Sequence, residues 1–279
     1  MMTPDYLLLG HFTRDVLPDG SRIPGGTAIY AALTAHRLGR RAGVVSARAT
    51  LPDGWPTAIG VTFINEMETP IFENRYTPDG RVQILHASSG AITLDHVPLA
   101  WRDARIVHLG PILAETPEEL AYAFPHALLG MTPQGMMRSW SAQLPAVIQY
   151  LPWKPSARLL ARMDALVMSI EDVRGDEALA RSYAQHCRLV ALTRGAAGAT
   201  LFVQGQPHHI AACPAAERDP TGAGDVFAAA LLIRLDETGD PLEAAHFAAC
   251  VAARSVEGLG PGSIPTREEI GRSIQRSSE

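Results

Sequence analysis

The chain opens on a short apolar run, Tyr6-Leu7-Leu8-Leu9, that stops at Gly10. A run without polar alternation predicts a strand buried on both faces. Gly25-Gly26 then precedes Ala28, Ala31, Ala32, Ala35 and Leu38 at helical spacing, closed by Gly39, which predicts a helix. Ala42 to Ala47 and residues 59–64 read as further buried strands. Residues 70–94 break this pattern. Ile71, Phe72 and Tyr76, the turn Pro78-Asp79-Gly80, and then Val82, Ile84 and Leu85 predict a hairpin. From residue 105 the alternation resumes. It predicts strands at 105–110, 165–169, 189–193 and 199–203, and helices at 117–129, 175–186, 222–235 and 241–255. The polar end after Ile274 predicts a frayed tail. Strands alternating with helices predict an α/β fold, with a mostly parallel sheet covered by helices on both faces.

No repeat or linker divides the sequence, so one domain over residues 1–279 is expected. With 47% apolar and 19% charged residues the composition is globular. A net charge of −5 and the lack of a basic run exclude a phosphate-tracking nucleic-acid surface and favour a small polar substrate. The first ten residues have no basic segment and read as a strand rather than a signal peptide. No apolar stretch is long enough to span a bilayer, so a cytoplasmic protein without membrane contact is expected. Cys187, Cys213 and Cys250 are far apart and lack a CxxC spacing, which predicts reduced thiols and no zinc site. The ten histidines, His11 among them, are scattered without ligand spacing and read as structural. Lys154 is the sole lysine and stands in Trp153-Lys154-Pro155, so no Gly-Lys-Ser/Thr phosphate loop exists.

The most informative segment is Asp219-Pro220-Thr221-Gly222-Ala223-Gly224-Asp225, followed by the apolar run Val226 to Leu232. A small-residue turn running into a helix exposes backbone N–H groups that attract an anion. An aspartate at that helix start is a poor phosphate ligand. It suits a base beside a phosphate that is about to receive a nucleophile. For an isolated Gly-x-Gly-Asp, simple helix capping is the commoner explanation. The seven-residue string is more specific than that.

The string resembles the C-terminal signature of the ribokinase-like (PfkB) carbohydrate kinases. Other segments resemble that family in the expected order. They are Gly10 to Asp15, Pro24-Gly25-Gly26-Thr27-Ala28-Ile29, Leu192-Thr193-Arg194-Gly195-Ala196-Ala197-Gly198, and Gly258 to Pro265 followed by Arg267-Glu268-Glu269-Ile270. The resemblance implies a three-layer α/β/α sandwich with a mostly parallel sheet and a β lid from about 12–24 and 70–94. It implies Asp225 as catalytic base, with the Gly222, Ala223 and Gly224 amides as the anion hole. Thr193, Gly195, Ser169 and Gly258 would face the nucleotide, and Asp15, Gly25, Gly26 and Arg138 the acceptor. Asp219, Thr221 and Ser263, with backbone carbonyls near Ala253, Val256 and Gly258, would hold potassium. Asp172 and Glu171 would lie near magnesium. ATP, Mg²⁺ and K⁺ are the implied cofactors.

The sequence departs from the family pattern in three places. Ser169-Ile170-Glu171-Asp172 stands where the family often has N-x-x-E, and the same residues also read as a helix cap. Tyr30 occupies the place of a sugar-reading asparagine, which argues against ribose, or else it is a core aromatic. Only Val16 to Ile23 separate Asp15 from Pro24 and Gly25, too few for two strands of about five residues and a turn. A reduced lid follows, with looser acceptor selectivity and water as a competing acceptor.

Gln134 and Arg138 follow a predicted strand, where the arginine either contacts substrate or is a solvated helix start. Gly10 to Leu17, Gly25 to Ala28 and Gln134-Gly135 together resemble a branch that includes inositol kinases. The leading expectation is an ATP-dependent kinase for a sugar, polyol or related small alcohol, acting as a monomer or homodimer. A nucleoside kinase on the same scaffold and a ligand-binding homologue without turnover are the alternatives. A Rossmann dehydrogenase is disfavoured, because the first strand–helix turn has no G-x-G-x-x-G.

Overall fold

A computed structural model describes residues 3–77 and 80–277, so Pro78 and Asp79 of the predicted turn lie outside it. Nine strands form the central sheet: β1 (Tyr6–Leu9), β4 (Ala42–Arg48), β5 (Gly60–Glu68), β8 (Ile106–Leu109), β9 (Leu128–Met131), β13 (Ala165–Ser169), β14 (Leu189–Thr193), β15 (Ala199–Val203) and β16 (Gln206–Ile210). Their order is β16-β15-β14-β13-β9-β8-β1-β4-β5. The seven strands from β14 to β5 in that order run parallel, and β15 and β16 are antiparallel additions.

Side-chain alternation divides the core. Tyr6 and Leu8 point to one face with Val44, Ile106 and Val167. There they meet helices α1 (Thr27–Arg37), α5 (Ala223–Thr238) and α6 (Pro241–Ser255). Leu7 and Leu9 point to the other face with Val45, Val107 and Leu166. There they meet α2 (Glu119–Tyr122), α3 (Ala157–Arg162) and α4 (Glu177–Tyr183). Both faces are thus buried, which is why these strands read as unbroken apolar runs. Helix α7 (Arg267–Ser277) closes the chain and carries backbone helix past Ile274, where a frayed tail is expected from sequence.

Two sequence expectations fail here. A helix over 117–129 shrinks to the four residues of α2, because Pro125 lacks the N–H a helix needs, and Leu128 then enters β9. The lid is also larger than loop length allows. Strands β2 (Thr13–Val16) and β3 (Arg22–Gly25) are four residues each and pair antiparallel. They join β6 (Ile71–Thr77), β7 (Gly80–Ala87) and β11 (Ala146–Val147) in a five-stranded sheet ordered β11-β7-β6-β2-β3. Each of these strands needs only four residues, and β2 begins at Thr13, two residues before Asp15. The inference of loose selectivity and water leakage therefore falls. A minor two-stranded ladder pairs β10 (Arg138–Ser139) antiparallel with β12 (Gln149–Tyr150).

Glu115 anchors the connection from sheet to lid. Its buried carboxylate accepts hydrogen bonds from the backbone N–H groups of His11 (3.0 Å), Ile112 (2.8 Å) and Leu113 (2.7 Å). His11 is buried as well. Its Nδ1 accepts from the Ala47 amide at 2.9 Å, so Nε2 carries the proton and donates to the Gly90 carbonyl at 2.8 Å. The ends of β1 and β4 and the loop after β7 are thereby tied together, a structural role for this histidine. Glu115→Ala strands three buried donors, at about 1–3 kcal/mol each. The expected loss is at least about 3 kcal/mol in urea unfolding. A loss under about 1 kcal/mol would show that water replaces the carboxylate.

Candidate active site

Helix α5 begins at Gly222, whose φ of 77° is left-handed. A Cβ at this position would sit 2.2 Å from the Tyr30 ring, so the glycine is required both by backbone angle and by contact. The Ala223 amide donates to the Pro220 carbonyl at 3.1 Å and Val226 to Gly222 at 2.9 Å. The Gly224 and Asp225 amides, in the first turn, have no preceding helical carbonyl to bond. The donors left to the cleft are therefore those of Gly224 and Asp225, and Ala223 is engaged by its own turn.

Asp225 stands at this helix start, half-buried. Burial of its carboxyl is the main reason its pKa is raised, to about 7, with the Asp172 charge adding to the shift. A hydrogen bond from the Thr27 side chain and the charge of Arg138 pull the other way. Asp172 and Arg138 are thus neighbours of Asp225, and Gln134 joins them. Its Nε2 donates to Asp172 Oδ1 at 2.9 Å, and its Oε1 accepts from Arg138 at 2.9 Å. Arg138 also donates to the Ile112 carbonyl at 2.9 Å and lies 5.4 Å over the Phe72 ring of the lid. The sequence left Gln134 and Arg138 open between a site and a solvated surface, and the structure brings both to the cleft.

Asp15 is placed on the lid strand β2 rather than at the end of β1, close against Gly25. Tyr30 is 6% exposed, with its ring under Gly222. Burial first, and then the charges of Asp219, Asp225 and Asp15, keep its phenol well above the ordinary range and so protonated. It combines the two roles considered from sequence, a packed aromatic with its oxygen among the site carboxylates.

Ser169 and Asp172 bond each other reciprocally across the turn after β13. The Ser169 amide donates to Asp172 Oδ2 at 2.8 Å, and the Asp172 amide donates to Ser169 Oγ at 3.1 Å. These bonds brace a turn and not a helix start, since α4 is capped by Asp176, so the helix-cap expectation for Ser169 fails; Glu171 is exposed. Asp219 accepts from the Thr221 amide at 3.0 Å and, across the fold, from the Gly260 amide at 2.8 Å. Burial opposes ionisation of Asp219, yet these hydrogen bonds outweigh it and hold its carboxyl below the usual range. Ser263 Oγ lies 2.7 Å from both the Ser255 and the Gly260 carbonyl oxygens and donates its one hydrogen to either, and Gly258 abuts Ser263. Asp219, Thr221, Gly258 and Ser263 therefore converge.

A cavity of about 370 Å³ opens beside the α5 N-terminus. Thr193, Gly195, Ala223 and Gly224 line one end, and Phe227, Ala249, Ala252 and Val256 form an apolar wall. Cys213 is part of the lining and is bonded to Cys250 of α6, with Cα atoms 5.0 Å apart. This corrects the expectation of three reduced thiols. Thirty-seven residues separate the pair in sequence, and only the fold brings them together. Cys187 is free and buried. The bridge fixes the 211–218 segment against α6, so if this cavity takes a nucleotide, reduction with dithiothreitol is expected to weaken that binding several-fold by calorimetry. Equal affinity before and after reduction would remove the bridge from the pocket's function.

Residues 162–267 match the family described as pfkB family carbohydrate kinase. That span holds the glycine turn of α5, Asp219, Asp225 and most of the cavity lining. This segment therefore resembles the PfkB carbohydrate kinases. It is 25% identical to cytidine kinase of Thermococcus kodakarensis over 256 residues, 86% of this chain and 91% of that protein. It is 34% identical over 120 residues to bifunctional protein HldE of Caulobacter sp. (strain K31), 42% of this chain but only 25% of that protein's length. The fold matches a pyrophosphate-dependent kinase of the ribokinase family, complexed with a pyrophosphate analog and myo-inositol. The TM-score is 0.78 at 23% identity, over 96% of this chain and 100% of that one.

The α6 alanines, Glu115 and the apolar lining of the lid were not legible as site residues in the sequence. The alanine-rich stretch Ala244 to Ala253 was the available signal for a helix face able to take a flat ring. Glu115 carried none, because its partners are backbone amides. Among the described residues no group of three or more His, Cys, Asp or Glu could hold a metal ion, and no helix is long and apolar enough to cross a membrane.

Proposed function

We propose that the protein transfers the γ-phosphate of ATP to a hydroxyl of a sugar, a polyol of inositol type or a related small alcohol, with Asp225 as general base. The observation that carries this reading is the Asp225 carboxyl, held at the α5 N-terminus with a pKa of about 7. A base of that strength is half-ionised at neutral pH and takes a hydroxyl proton as the oxygen attacks. The Gly224 and Asp225 amides, with Arg138, would stabilise charge on the transferring group. Asp15 would accept hydrogen bonds from acceptor hydroxyls. Phe72, Leu85 and Ile112, with Trp140 packed against them, give the acceptor cleft an apolar wall. Tyr30 in the sugar-reading place favours acceptors other than ribose.

The apolar cavity beside α5 supports a nucleotide donor, because pyrophosphate has no base to fill it. Asp219, Thr221 and Ser263 offer oxygens only and one negative charge, a set that fits a monovalent cation. Asp172 and Glu171 could bind waters of the magnesium that accompanies ATP. Bound cations supply charge neutralisation. Asp219→Ala should remove stimulation of the rate by potassium. Unchanged stimulation in that variant would exclude these residues.

A nucleoside acceptor is the second reading. It is favoured by the likeness to cytidine kinase over most of both chains and by Trp140 and Phe72, on which a base can stack. The test is ADP formation from ATP with a panel of polyols, sugars and nucleosides, repeated with pyrophosphate as donor. Turnover with one acceptor class and ATP supports the proposal. No turnover with any acceptor from either donor would sink it.

A further inference from the structure

Gly25 abuts Asp15 and Thr13, and strand alternation turns Arg14 to the opposite face of β2. On that face a cavity of about 290 Å³ lies between lid and central sheet. Arg14 of β2, Arg48 and Thr50 at the end of β4, and Glu68 and Thr69 before β6 line it. Most arginines elsewhere are tied down. Arg40 pairs with Asp236 and Glu237, Arg234 with Glu237 and Glu243, and Arg254 with Glu257. Arg14 makes one hydrogen bond, to Thr50 Oγ1 at 2.6 Å, and no ion pair. Arg48 has no hydrogen-bond or ion-pair partner among the described residues. Glu68 lines the same cavity and is the register partner of Arg48 across β4 and β5, yet forms no ion pair within 4.0 Å with either guanidinium.

We propose that this cavity is a second oxyanion site, separate from the anion hole of α5, and that it takes a phosphate dianion, either free or as a phosphate monoester. Two guanidinium forks without carboxylate partners match phosphate oxygens bidentately. Thr50 Oγ1 accepts from Arg14, which leaves its own hydrogen for the ligand. Glu68 disfavours a bare anion and offers an acceptor to a hydroxyl, as the alcohol part of a monoester would provide. The ligand bridges Arg14 on the lid to Arg48 and Thr50 on the central sheet. It thereby restrains the strand that carries Asp15 relative to the body. This inference concerns binding and stands apart from the donor and acceptor assigned above.

The test is calorimetric. Inorganic phosphate and glycerol 3-phosphate are titrated separately into the full chain with a non-hydrolysable ATP analogue saturating the donor site. Saturable binding is expected, weakened roughly ten- to a hundred-fold by Arg48→Gln and by Arg14→Gln, as for lost charged hydrogen bonds. Arg22→Gln, on the same lid face but outside the cavity, should leave it unchanged. Arg48 is exposed, so its variant is expected to fold even if the Arg14 variant does not. Tighter binding of the monoester identifies an alcohol phosphate as the ligand, and tighter binding of inorganic phosphate identifies the free ion. No binding to the wild type, or binding indifferent to Arg48→Gln, overturns the proposal.

Discussion

Asp225→Asn is expected to bind ATP normally and to lose roughly 10²–10⁴-fold in kcat, the range for removal of a positioned base. The amide keeps the shape of the carboxylate and can still meet the Thr27 side chain, but it cannot take a proton. The same substitution should raise the melting temperature at pH 8. The sign follows from linkage. In the folded state Asp225 has a pKa of about 7, above its unfolded value of 3.8. Between those two values the folded chain retains a proton that the unfolded chain has released, so stability falls as pH rises through the window. An asparagine carries no such cost. The gain should be present at pH 8 and should vanish near pH 4. A variant that is less active yet no more stable at pH 8 would mean that the carboxyl is not held in a disfavoured charged state.

Ala252→Trp should raise the KM for ATP by more than roughly tenfold while changing kcat much less. Ala252 lines the apolar cavity with Phe227, Ala249 and Val256, and an indole there occupies the volume a purine would take. The phosphate-facing groups lie at the α5 N-terminus and are untouched, so any use of pyrophosphate should survive. The contrast decides the donor. A kinase that relies on pyrophosphate would show no donor KM change in this variant.

Much of the central sheet was legible because strands buried on both faces print themselves as apolar runs, as Tyr6 to Leu9 and Ala165 to Ser169 do. The site's centre was legible for a related reason. Gly222 must be glycine on two independent grounds, and Asp225 is fixed one helical turn away. The lid was legible only in part. The hairpin of β6 and β7 showed in its alternation, but β2 and β3 have four residues each, and β2 pairs with β6 across more than fifty intervening residues. The Cys213–Cys250 pairing was hidden likewise, by a separation of 37 residues. Arg138 and Gln134 were ambiguous because an arginine after a strand looks alike whether it faces water or a cleft. Only the contacts to Phe72, Ile112 and Asp172 separate the two cases.

The central claim is that Asp225 accepts the acceptor's proton. The pH dependence of kcat/KM for the best acceptor tests it most directly, measured from pH 5 to 9 with saturating ATP in wild type and in Asp225→Asn. The account predicts a wild-type rate that rises with pH to a plateau, with its acidic limb centred near the Asp225 pKa of about 7. The residual rate of the variant should lack that limb. A limb that persists at the same position in Asp225→Asn would assign the proton to another group and contradict the claim.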